Sequence, residues 1–99
     1  MNEIATLLKL LELPDNDYWS DEACNEAREI INSNQESIFP YLLEEWIKLS
    51  ILSQEHLAYI LGENNSKKER ELIEKMLNST NESVSFRARE ALNEIDKSA

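Results

Sequence analysis

Glycine appears once in these 99 residues and proline twice, which excludes the turn-dense architecture of a β-sandwich or barrel. Cysteine also appears once, as Cys24, so the chain cannot close a disulfide on itself. Small secreted domains usually need such staples, and a reducing, cytoplasmic setting is expected instead. The single histidine, His56, leaves no material for a His-Cys metal cluster or a histidine-paired catalytic triad. One glycine cannot build a phosphate-cradling loop. Long hydrophobic runs are missing too. The opening MNEIATLLKLLEL has no basic leader and is interrupted by Lys9 and Glu12, and nothing approaches the ~18 apolar residues of a membrane span. Neither a signal peptide nor a membrane partner is expected.

Positive charge is the other scarcity. Twenty Asp and Glu face ten Lys and Arg, a net charge of −10. The whole excess falls in residues 1–66, where Lys9, Arg28 and Lys48 are the only cations, whereas residues 67–99 balance. Such a field repels phosphate backbones and steers basic partners inward, so nucleic acid is not an expected ligand. The same charge also serves to keep a small protein solvated.

What is present reads as helix. With 41% hydrophobic residues the chain can bury a core, and the apolar positions recur at helical spacing. Ile4, Leu7, Leu8 and Leu11 share one face of a helix over about 2–12, which Pro14 stops. Ser20 is placed to cap a helix over about 21–33, with Trp19 and Cys24 as a hydrophobic staple. Ser37 is the expected cap of a third helix, about 38–50, with Ile38, Leu42, Trp46 and Leu49 on one face. Ser53 is the expected cap of a fourth, about 54–62, closed near Gly62. Ser66 to Glu69 forms a capping box for a fifth, about 67–78, and Asn81 caps a sixth, about 82–96. His56, third in its helix, is expected to meet solvent or a cap.

A period runs through these helices. Ala27-Arg28-Glu29-Ile30-Ile31, Ala58-Tyr59-Ile60-Leu61-Gly62 and Ala88-Arg89-Glu90-Ala91-Leu92 place a small residue before apolar ones, the alanines lying 31 and then 30 residues apart. Small residues at a fixed period let helices approach closely, the mark of an α-solenoid. Residues 72–95, with Leu72, Ile73, Met76, Leu77, Val84, Ala88, Ala91, Leu92 and Ile95 at the apolar positions, resemble a HEAT repeat. Ser85 departs from the arginine that such repeats favour. The resemblance implies an all-α fold: a short right-handed solenoid of three antiparallel helix pairs, at about 2–33, 38–62 and 67–96, in a single domain. A compact six-helix bundle is the alternative.

Chemistry is sparse. Asp15, Asp17, Asp21 and Glu26 fall at the first, third, seventh and twelfth positions of a calcium loop. Ser20 stands where the turn glycine belongs, however, and Trp19 replaces a ligand, so no metal is expected. Glu44-Glu45 and similar pairs arise by chance among twenty acids. Cys24 reads as a packed small residue. No catalytic residues, cofactor or small-molecule substrate are expected. What stands out is acid mixed with aromatics around the first interhelix loop: Asp15, Asp17, Tyr18, Trp19, Asp21, Glu22, Glu26 and Glu29. Glu22, Glu26 and Glu29 fall within about 80° on a helix. Aromatic anchors framed by carboxylates suit a basic protein partner; the same residues also serve as a staple and a solvated face. In size, charge and economy the chain is similar to bacterial immunity proteins, which implies a cognate basic toxin domain, of nuclease type, as partner. An adaptor or assembly subunit using the same surface on an unrelated protein is the alternative.

Overall fold

The structure, a computed structural model, describes residues 3–64 and 66–98. The chain is all-α, with six α-helices and no strand among the described residues. They are α1 (Glu3–Leu11), α2 (Cys24–Ser33), α3 (Gln35–Glu45), α4 (Ile51–Ile60), α5 (Lys67–Leu77) and α6 (Glu82–Ser98). A π-helical turn, Trp19–Ala23, leads into α2, and a 3-10 turn, Trp46–Lys48, follows α3. The expected start of the first helix at residue 2 lies outside the described residues.

The cap chemistry explains where the helices begin, and it differs from the sequence reading in three places. Ser20 does not cap the second helix. The Asn16 side-chain oxygen accepts from the Trp19 amide at 3.2 Å, so the helical run starts before Trp19 and passes through the π turn into α2. α3 begins at Gln35, before Ser37, which places Pro40 in its second turn. α4 is capped by Ser50, whose Oγ accepts from the Ser53 amide at 3.2 Å, so Ser53 belongs to the first turn. At α5 and α6 the structure agrees with the pattern. Ser66 Oγ accepts from the Glu69 amide at 3.2 Å, and Asn81 Oδ1 accepts from the Val84 amide at 3.1 Å.

α4 is the central helix, packed against α1, α2 and α6. Burial on several sides explains its lack of a single apolar stripe, since Ser53, Gln54 and His56 are buried beside Leu57, Ala58 and Ile60. The polar members are not idle. Gln54 Nε2 donates to the carbonyls of Ile47 at 3.3 Å and Leu49 at 2.9 Å, satisfying the 3-10 turn. α5 packs along α6, and α3 rests on α5 and α2 while hardly touching α4. The middle pair therefore lacks the close hairpin that α1–α2 and α5–α6 form. Ala27, Ala58 and Ala88, the residues that set the sequence period, are all fully buried.

The segment between α4 and α5 turns on Gly62, with φ +107°, a backbone that side chains rarely adopt. Its amide and that of Asn64 both donate to the buried Glu69 carboxylate at 3.0 Å. A Cβ on Gly62 would stand 2.9 Å from the Ala91 carbonyl oxygen, so α6 lies directly against this turn. Asn64 ties the turn to Asn32 and Gln35, at 2.7 and 3.2 Å.

Candidate functional site

Of the residues expected to form an acidic-aromatic surface, all but one are exposed. Asp15, Asp17, Asp21, Glu22, Glu26 and Glu29 are all exposed, on the loop after α1, the π turn and α2. None of the six carboxylates makes an ion pair among the described residues. Tyr18 projects among them, 55% exposed. Glu26 and Glu29 border a shallow hollow completed by Asn25, Ile30, Ser33 and Asn34.

Trp19 is the exception. It is 2% exposed, so its ring is not presented to a partner and its role as a surface anchor is withdrawn. The indole stacks on His56, ring centroids 3.7 Å apart. The π turn explains the inward placement. Residues four apart drift around an α-helix, and one widened turn offsets the drift, so Trp19 joins Ala23, Ala27 and Ile31 in the core. His56 is likewise buried, not solvent-facing. Its Nδ1 lies 3.0 Å from the Leu11 carbonyl, which fixes that nitrogen as the donor and leaves Nε2 buried with no partner. Burial lowers the His56 pKa, opposed by the Leu11 hydrogen bond and by Asp15. Cys24 is buried, with its thiol 3.2 Å from the Ser20 carbonyl.

A second feature, not singled out in the sequence, lies between α2, α4 and α6. A cleft of about 460 Å³ is lined by Arg28, Tyr59, Phe86 and Arg87 and by the carboxylates of Glu63, Glu90 and Glu94, with Leu61, Gly62 and Ala91 among its apolar and backbone walls. Both guanidinium groups lie over the Tyr59 ring, Arg28 at 5.4 Å and Arg87 at 5.2 Å from its centre. Arg28 Nε stands 3.4 Å from Glu63 Oε2, near enough for an ion pair but without hydrogen-bond alignment, so that buried N–H stays unsatisfied. Phe86 and Tyr59 are 60% and 42% exposed. The period of the sequence held a partial signal for this cleft. Arg28 and Tyr59 each follow a repeat alanine, so they stand at equivalent positions on neighbouring helices.

Among the described residues there is no group of His, Cys, Asp and Glu able to hold a metal ion and no helix long and apolar enough to cross a membrane. Comparison with known proteins returns no match to a family model, a curated protein or a solved structure.

Proposed function

We propose that this chain is a protein-binding module, built from diverged HEAT-like helix pairs, that captures a basic protein through its acidic surface. The observation that carries the reading is the set of six exposed carboxylates, none in an ion pair among the described residues, on the same loop-to-α2 stretch as the exposed Tyr18. Carboxylates that form no internal ion pairs contribute little to stability, and their field speeds the encounter with a positively charged partner. Tyr18 supplies contact area with few rotatable bonds, which is what interface anchors share. The helical-repeat part of the reading is supported by the three buried alanines on α2, α4 and the helix that flanks it, α6.

In its specific form, the proposal makes the chain an immunity protein, in the cytoplasm, whose partner is a basic toxin domain. Small size, a strong acidic excess and a rigid helical scaffold suit a protein whose task is to cover a cationic active site. The reading assigns it no catalysis and no cofactor. The test is reconstitution with the basic protein encoded beside its gene. A stable 1:1 complex that abolishes that protein's toxicity is the expected result. A stable complex with a non-toxic protein would assign the same surface to an adaptor, and failure to bind any basic neighbour would overturn the reading.

A further inference from the structure

We propose that the cleft between α2, α4 and α6 is a binding site for a carboxylate carried on an apolar body, with the Arg87 guanidinium as its anchor. Arg87 is half-buried and makes no hydrogen bond or ion pair among the described residues; its one close partner is the face of Tyr59. A guanidinium carries five N–H donors, and a planar oxyanion satisfies two of them at once. Half-withdrawn from water and held on an aromatic face, the fork is oriented before any ligand arrives, which lowers the entropic cost of binding. Arg28 adds a second cation on the same ring, only partly offset by Glu63.

The rest of the cleft sets the ligand's class. Its volume of about 460 Å³ falls in the range of small-ligand sites. Phe86 offers an exposed aromatic surface beside Tyr59, and Ala91 gives an apolar wall, so the anion must carry an apolar group. Glu63, Glu90 and Glu94 line the same space, Glu94 with the Lys97 ammonium 3.6 Å away, and each carboxylate repels every added negative charge on the ligand. A monoanionic carboxylate is therefore favoured over a dianionic phosphate. Two sources present this chemistry: a free aromatic carboxylate, or the C-terminal residue of a peptide. None of the acidic-surface residues lines the cleft, so the site stands or falls apart from the function proposed above.

The test is a 15N-edited NMR titration of the full chain with N-acetylphenylalanine, its amide and phenyl phosphate. N-acetylphenylalanine is expected to shift the amides around Tyr59 and Arg87 saturably. The uncharged amide, and the Arg87→Gln variant with its spectrum otherwise unchanged, should bind at least fivefold more weakly. Phe86→Ala, at an exposed position, should also weaken binding. A Gly-Gly-Phe peptide separates the sources: tighter binding than N-acetylphenylalanine assigns the site to peptide C-termini, equal binding to free carboxylates, and both support it. Three results would overturn the proposal: no saturable shift, equal binding of acid and amide, or tighter binding of phenyl phosphate.

Discussion

The indole of Trp19 lies flat on the imidazole of His56, with ring planes within 13° and centroids 3.7 Å apart. The stack joins the turn that precedes α2 to the central helix, and through the His56 Nδ1 bond to Leu11 it also reaches the end of α1. The acidic surface is thus mounted on a buried aromatic pair. Trp19 holds the scaffold while its neighbour Tyr18 faces outward.

That division predicts opposite outcomes for adjacent residues. Trp19→Ala should cost about 3–5 kcal/mol, the range for emptying a large aromatic site in a core. Tyr18→Ala should change stability by no more than about 0.5 kcal/mol, as exposed substitutions do. Urea unfolding of both variants checks this, and similar losses in the two would contradict the placement of the rings.

The buried His56 gives the fold a pH dependence with a definite sign. Burial lowers its pKa, so the unfolded chain takes up a proton more readily than the folded one. Its contribution is fully present above the ordinary histidine value of about 6.5 and is lost as pH falls below it. Carboxylates add their own acid sensitivity, so the comparison must be with a variant that cannot titrate here. His56→Phe keeps a ring against Trp19 and removes the unpaired Nε2. Between pH 7.5 and 5.5 the melting temperature of the parent should fall further than that of His56→Phe. Equal falls would show that His56 does not titrate as its burial requires.

The turn after α4 predicts a costly glycine. Gly62→Ala must adopt a strained φ and press a methyl group onto the Ala91 backbone, 2.9 Å away. A loss of about 1–3 kcal/mol is expected from the strain. Glu69→Gln probes the same turn from beneath, because the two N–H donors meet different carboxylate oxygens and the substitution turns one of these into an NH2 that cannot accept. It too should cost about 1–3 kcal/mol. Thermal melts of the two variants give the answer, and parent-like stability in either would mean the turn relaxes at no cost.

Close helix packing makes Ala88 intolerant of bulk. It is fully buried on α6, the helix that packs extensively on α4 and α5. Ala88→Leu should overpack this junction and destabilise by about 1–3 kcal/mol. A variant that melts like the parent would contradict the buried alanine period.

How much of this could be read from the sequence varies with the kind of information. Apolar periodicity gave α1, α5 and α6 to within a residue or two at most ends. It also singled out the caps Ser66 and Asn81 from their neighbours Asn64, Asn65, Ser79 and Thr80, because each stands just ahead of the apolar run, Ser66 with Glu69 completing a capping box. Caps went astray where the chain enters or leaves a helix through an irregular turn. Asn16, Asp17 and Ser20 compete at one helix start and Ser50 and Ser53 at another, and the choice rests on tertiary features, a π turn and a 3-10 turn, that leave no local pattern. The burial of His56 was hidden for a related reason: α4 is covered on several sides, so a polar residue in it says nothing about which way it faces. The acidic surface was legible because charge needs no fold to be counted, whereas the place of Trp19 beneath it was not. The cleft draws on three helices far apart in sequence, and only the equivalence of Arg28 and Tyr59 hinted at it.

The most direct test of the central claim is the rate at which the chain associates with the basic protein proposed as its partner. The parent should associate faster at ~20 mM than at ~150 mM salt, because screening shortens the reach of the acidic field. Glu22→Lys combined with Glu26→Lys alters two exposed side chains outside the core and should leave the melting temperature nearly unchanged. In the same low-salt buffer the double variant should associate at least tenfold more slowly, with a weaker dependence on salt. An unchanged rate in low salt would contradict the account and leave the acidic residues as a solvated face.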